Sequence, residues 1–232
     1  MSNTKKILWK PKDSYIEKTQ YFDFCKYLRK NNIFDCRNDY DKLWEWSIAK
    51  PESFWSSLWD WHGIIGDKGK ILSEQKKIIP GSNYFPDAKI NFTENLLFDA
   101  DESISLITHS EDKRNRKISR MELLSKVLSL AGWMKKKGVK KGDRVVAYLP
   151  NSEIAIISML ATASLGAIFS SCSPDFGFSG VMDRFSQINP KLLISVDGYC
   201  YNGKKISKIE TIIDLEKNLP TLENILIAGY LE

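Results

Sequence analysis

The sequence predicts an α/β protein built on a mostly parallel sheet with helices on both faces, preceded by a tryptophan-rich helical segment. Three observations carry this. Between residues 144 and 228, short apolar runs alternate with segments of helical period, the pattern of successive βαβ units. Six of the seven tryptophans (Trp9, Trp44, Trp46, Trp55, Trp59 and Trp61) fall before residue 67. And 232 residues, 43% of them hydrophobic, suffice for a sizeable core.

Taken in order, residues 1–66 form the tryptophan-rich part. YDKLWEWSIAKPESFWSSLWDWHGI reads as two short helices broken at Pro51, with Ser47 as a local cap. Phe54, Leu58 and Trp61 fall at helical spacing, as do Trp55 and Trp59. Aromatic packing and a binding groove are both open to such a segment. Packing is favoured, because each ring buries a large area and nothing polar converges there. Residues 67–102 read as an extended, wrapping segment in which Pro80, Gly81 and Pro86 break any regular pattern, with a short helix over 91–97.

From residue 103 the pattern is regular. ISLITH is a strand, EDKRNRK a charged hairpin turn and KIS the start of the return strand. Ser119 with Glu122 makes a capping box at a helix start. Met121, Leu124, Val127, Leu128, Ala131 and Met134 are expected to supply that helix's apolar face, and Gly138 to end it behind three lysines that suit its dipole. VVAYL reads as a buried strand. A helix over 152–166, the strand AIFSSC, a helix over 179–188 stopped by Asn189-Pro190, the strand LLISV, a helix around 209–215 and the strand NILIA follow. In such sheets ligands bind beyond the carboxyl ends of the strands. Three of those ends can be read directly: Pro150-Asn151, Ser173-Pro174-Asp175 and Asp197-Gly198. The polar stretch SSCSPDFG therefore sits where a ligand is expected, although Pro, Asp and Gly also make turns without one.

Composition excludes several classes. A formal net charge of +5, spread along the chain and without any aromatic/basic module, gives no basis for nucleic-acid binding. Cys25, Cys36, Cys172 and Cys200 form no CxxC pair, and with two histidines no zinc site is expected; four reduced thiols fit a cytoplasmic protein. No apolar run is long enough for a signal peptide or a membrane span. The phosphate loop GxxxxGK[ST], the dinucleotide fingerprint GxGxxG and the nucleophile elbow GxSxG are all absent. His62 and His109 lack a Ser or Cys partner and read as structural.

Several stretches together resemble one family. DYDKLWEWSIAKPESFWSSLWDW is similar to the tryptophan-rich N-terminal segment of acetyl-CoA-synthetase-type enzymes, and FPDAKINFTENLL to the segment that follows it there. KKGDRVVAYLPNSEIAIISMLATASLGAIFSSCSPDFGFSGVMDRFSQINPKLLISVDGYCYNGKKI resembles the acetoacetate–CoA ligases of the adenylate-forming superfamily. The resemblance covers nearly the whole chain. It implies that 103–232 is an incomplete AMP-dependent synthetase/ligase domain, the N-terminal part of the large domain of such enzymes. Their Ser/Thr/Gly-rich phosphate loop, adenine and ribose motifs and catalytic lysine have no counterpart here.

The implied reaction has two steps: acetoacetate and ATP give an acyl-adenylate and pyrophosphate with the help of Mg2+, and the CoA thiol then displaces AMP. The complete enzyme would use ATP, Mg2+ and CoA; this chain is expected to contact CoA alone. Tyr201, Asn202, Gly203 and Lys204 match a turn that holds CoA phosphates in relatives, with Tyr201 in place of an arginine and Lys204 keeping a positive charge. Gly177 and Phe178, with Phe176, match a turn near the pantetheine tunnel. No catalytic residue and no metal ligand is assigned, Cys172 included. Activity is expected only with a separate polypeptide carrying the remainder; neither nucleic acid nor membrane is an expected partner. The alternatives are a non-catalytic CoA-binding or regulatory module and a truncated remnant.

Overall fold

The computed structural model describes residues 8–74, 81–111 and 115–231. Pro80 and residues 112–114 of the predicted charged turn lie outside the described residues. The chain divides into two compact units, Met1–Ile90 and Asn91–Glu232.

The first unit holds helices α1 (Asp13–Ile16), α2 (Gln20–Lys30), α3 (Tyr40–Ala49) and α4 (Pro51–His62). Its short strands β1 (Gly66–Asp67), β2 (Ser73–Glu74), β3 (Asn83–Tyr84) and β4 (Lys89–Ile90) pair antiparallel as β1–β4 and β2–β3. Side chains start two of the helices: Thr19 accepts from the Phe22 amide and Asp39 from those of Asp41 and Lys42. Pro51 opens α4, where its missing N–H is no loss, so the break at Pro51 is as expected. Ser47 does not cap it. Its hydroxyl lies inside α3 and donates to the Trp44 carbonyl at 2.7 Å, the back-bond a mid-helix serine makes when its own turn is already closed.

Phe54, Leu58 and Trp61 pack on Phe24, Cys25, Leu28, Cys36 and Leu43, which makes this a small aromatic core. Trp46 stacks on Phe34 with centroids 4.8 Å apart. Trp9 and Trp44 are instead exposed.

The second unit runs α5 (Phe92–Leu97), β5 (Ile104–Thr108), β6 (Arg116–Ser119), α6 (Arg120–Lys136), β7 (Arg144–Tyr148), α7 (Glu153–Ser164), β8 (Ile168–Cys172), α8 (Phe178–Phe185), β9 (Leu192–Val196), β10 (Gly198–Tyr201), β11 (Lys204–Ser207), α9 (Ile209–Asn218) and β12 (Asn224–Ala228). Strands β12, β9, β7 and β8 form one parallel sheet in that order. Its two faces are read from strand parity. Val145, Ala147, Leu192, Ile194 and Val196 pack with α6 and α7. Val146, Tyr148 and Leu193 pack with α8 and α9. Helices therefore cover both faces, and every residue of β9 is buried.

Ser119 caps α6 by accepting from the Glu122 amide. The Glu122 carboxylate lies near Lys126, at 3.5 Å, and near Arg116, at 3.9 Å. The apolar face of α6 differs from the expected one. Leu123, Val127, Ala131 and Met134 are buried, whereas Met121 and Leu128 are exposed. The helix is apolar on more than one side, so the sequence alone admits two stripes, and packing on α7 selects the 123–127–131–134 stripe.

In the second unit the sequence reading lacks one hairpin, as in the first it lacks α1, α2 and the short strands β1–β4. Residues 198–207 form a β-hairpin between β9 and α9. Its signal was present as Asn202-Gly203. Both residues have positive φ, +49° and +72°, as a two-residue type I′ hairpin requires and as Asn-Gly supplies at least cost.

Candidate functional site at the carboxyl end of the sheet

The loops after β7, β8 and β9 all emerge at the same end of the parallel sheet, as predicted. The chain passes from β7 outward to β8, then back across to β9, which lies on the other side of β7. Connections from β7 and β9 thus diverge, and this is the switch point where open α/β sheets take ligands.

Tyr148, the last residue of β7, organises this end. Its side chain is fully buried, and its hydroxyl lies 3.0 Å from the Pro174 carbonyl and 2.6 Å from that of Phe176. The phenol donates into the turn at 173–177 and holds it over the strand end. Burial, with Tyr199, Cys172 and Asp175 close by, pushes its pKa up to about 12, so it remains a donor through the neutral range. Its backbone carbonyl accepts from the buried Ser195 hydroxyl at 3.0 Å, which ties β7 to β9.

The same turn is linked to the hairpin. Tyr199, at the root of β10, is pushed up to about 12 by burial and by its hydrogen bond to Asp175. Ser173 donates to Asp175 at 2.9 Å. The Lys208 ammonium lies 5.7 Å from the Tyr148 ring and 5.5 Å from the Tyr199 ring, within cation–π range of both. Arg184 stacks 4.2 Å over Phe176. The turn SSCSPDFG is thus built from both sides, by a strand-end phenol below and by a hairpin beside it. Of these residues, Asp175 lies in the strand-end turn that the sequence marks, whereas Tyr148, Tyr199, Lys208 and Arg184 are not marked by it as site residues. The available signal was the strand parity that sets Tyr148 on the same face as Leu193 and Val146.

The predicted residues fall in two groups. Gly177 precedes α8 as its N-cap and Phe178 begins it, both exposed. A Cβ at Gly177 would meet nothing within 4 Å, and its φ of −73° is ordinary, so the fold itself places no demand for glycine there. Tyr201 and Lys204 are cross-strand partners flanking the Asn202-Gly203 turn, and all four are exposed. The neighbouring Lys205 donates to the Leu231 carbonyl at 2.8 Å. Lys208, within cation–π range of both the Tyr148 and Tyr199 rings, links the root of this hairpin to the phenol that holds the turn carrying Gly177 and Phe178.

Asp197, by contrast, is structural: its carboxylate accepts from the Tyr230 and Leu231 amides. Cys172 is buried, and burial raises its thiol against the lowering effect of Arg184, the setting of an inert cysteine. His109 lines a cleft of about 180 Å³ with Thr108, Arg116, Lys126 and Glu153. Arg116 is held by Glu153 at 2.8 Å. Among the described residues no three His, Cys, Asp or Glu come together as metal ligands; with the phosphate loop also absent, these residues do not fit Mg2+ or the phosphates of ATP. An exposed lysine beside a turn with open space around it does fit a phosphate-bearing thiol such as CoA.

Comparison with known proteins agrees with this geometry. Residues 100–229 match the family model of AMP-binding enzymes, and residues 40–96 match that of the acetyl-coenzyme A synthetase N-terminus. Acetoacetyl-CoA synthetase of Macaca fascicularis is 42% identical over 196 residues, covering 83% of this chain and 29% of the relative. That of Xenopus tropicalis is 38% identical over 229 residues, covering 97% and 34%. The solved acetoacetyl-CoA synthetase from Streptomyces lividans superposes with a TM-score of 0.85 at 32% identity, covering 96% of this chain and 35% of that one. The chain thus spans about a third of the length of these relatives. The parallel sheet with its switch point, the tryptophan-rich segment before it and these matches together establish that the chain belongs to the AMP-binding enzyme family, as a relative of the acetoacetyl-CoA synthetases.

Proposed function

We propose that this chain is part of an acid–thiol ligase that joins acetoacetate to CoA through an acyl-adenylate, and that its own share of the work is to hold CoA. The observation that carries the reading is that two exposed elements stand together at the switch point: the Tyr201–Lys204 hairpin tip and the turn bearing Gly177 and Phe178, with Lys208 over both Tyr199 at the hairpin root and Tyr148, which holds the turn. Lys204 would meet a CoA phosphate as a mobile point charge. The open space at Gly177 would let the pantetheine arm pass close to the backbone. Phe178, 38% exposed, would supply an apolar wall. Mg2+, when bound to the complete enzyme, would neutralise the ATP phosphates. No residue of this chain is assigned to adenylation. The cytoplasm is the proposed location; no described helix is long and apolar enough to cross a membrane.

The test is ATP–pyrophosphate exchange with acetoacetate and Mg2+, on this chain alone and then mixed with a polypeptide carrying the remainder, alongside calorimetric titration with CoA. Exchange in the mixture only, with CoA binding by this chain weakened about tenfold or more by Lys204→Ala, equivalent to ~1.4 kcal/mol, is the expected result. Exchange by the chain alone would refute the division of labour. CoA binding without exchange in the mixture would favour the second reading, a CoA-binding module; what supports that reading is that the candidate CoA contacts, the exposed Lys204 and the open turn at Gly177, both lie in this chain.

A further inference from the structure

The helical unit contains a feature with no part in CoA binding. Cys25 lies on α2, and Cys36 lies in the connection between α2 and α3. Each is 1% exposed, and their sulfurs approach to 2.8 Å. The connection is shaped to put Cys36 there. Asn32, Arg37 and Asn38 all take positive φ without being glycine. Arg29 reaches Asn38 at 3.3 Å and Asp35 at 3.7 Å. Ile33 and Asp39 close backbone turns onto Leu28 and Cys36. The result is two thiols side by side within the aromatic core formed by Phe24, Leu28 and Leu43.

We propose that Cys25 and Cys36 are a redox-modification site, a dithiol that a hydroperoxide converts into an intramolecular disulfide stapling the connection to α2. The sulfurs need only close from 2.8 Å to the covalent length of about 2.05 Å. In the first step the Cys36 sulfur takes one oxygen from hydrogen peroxide, the O–O bond breaks, and water leaves with the thiol proton's equivalent; Cys36 becomes a sulfenic acid. In the second, the Cys25 sulfur attacks the Cys36 sulfur, the S–S bond forms, the S–O bond breaks, and the hydroxide departs as a second water with the Cys25 proton. Two thiols and one peroxide give one disulfide and two waters, a two-electron oxidation. Burial holds the Cys25 thiol up at about 12, so thiolate is scarce while the core is closed. Oxidation therefore proceeds through opening of residues 31–39 and quickens in mild denaturant.

The full chain would be treated with hydrogen peroxide, quenched, alkylated under denaturing conditions and mapped by mass spectrometry, with and without dithiothreitol. The expected product has lost two hydrogens, carries a Cys25–Cys36 linked peptide at least about tenfold over any other pair, reverts with dithiothreitol, and melts higher by about 5 °C or more. Mapping the unsubstituted chain keeps the test independent of whether Cys36→Ala folds. Oxygen added to the cysteines without a link, a link involving Cys172 or Cys200 instead, or a linked form that melts no higher would each overturn the proposal.

Discussion

Replacing Tyr148 with phenylalanine removes one oxygen and leaves the ring in place. The buried Pro174 carbonyl loses its partner at 3.0 Å, while the Phe176 carbonyl, on an exposed residue, recovers water. One buried acceptor left unsatisfied costs about 1–3 kcal/mol, and the rehydrated one close to nothing. A total of about 1–3 kcal/mol follows, which lowers the melting temperature by roughly 2–12 °C at about 2–4 °C per kcal/mol for a chain of this size. Urea unfolding followed by tryptophan fluorescence and circular dichroism measures it, with the midpoint falling at constant slope. Because the phenol holds the turn at 173–177, CoA titration of the same variant should weaken by about tenfold, or ~1.4 kcal/mol, without loss of fold. A stability change within about 0.3 kcal/mol would show that the hydroxyl does not anchor the turn, and the account of the site built on it would fail.

Gly198→Ala should destabilise the hairpin by about 1–3 kcal/mol, since a Cβ there would collide with the Ile206 carbonyl and the Leu231 side chain; denaturant midpoints check it, and an unchanged midpoint would contradict the close approach of β10 to β11. Gly177→Ala should leave stability within about 0.5 kcal/mol of the parent, because its Cβ meets open space, yet weaken CoA titration if the ligand passes there; destabilisation without an effect on CoA would reverse the assignment. In alkali, Tyr148 and Tyr199 hold their protons to about 12 in the folded chain against about 10 when unfolded. Their folded pKa values are raised, so the stability they contribute is complete below pH 10 and is lost as pH climbs toward 12. Ultraviolet phenolate titration should show three late tyrosines, Tyr148, Tyr199 and Tyr21, the last also raised by burial; their appearance near pH 10 while the chain is still folded would refute the burial argument.

Much of the fold is legible locally. Helix starts at Asp39, Asn91 and Ser119 follow from side chains that accept from amides two or three residues on, and Pro51 and Asn189-Pro190 break helices by removing donors and fixing φ. Asn202-Gly203 is a hairpin signal as strong as any of these, since both residues accept the positive φ that a two-residue turn needs. The apolar face of α6 was misplaced because Met121 and Leu128 satisfy helical spacing as well as Leu123 and Ala131 do; periodicity identifies a stripe only where one side of the helix is polar.

The sequence by itself determined the alternation of helices and strands from β5 to β12 apart from the β10–β11 hairpin, the parallel sheet covered on both faces, and the loops that emerge at its carboxyl end, since each rests on a hydrophobic period or a capping residue within a few positions. Only the tertiary structure decided that β9 lies beside β7 rather than β8, that Tyr148 reaches the carbonyls of Pro174 and Phe176, that Tyr199 joins Asp175, and that Cys25 meets Cys36. These pairings span 11 to 47 residues, and such contacts leave no period in the chain. They arise from which crossover returns over which strand, and a connection's length and handedness constrain that only once neighbouring faces compete for burial.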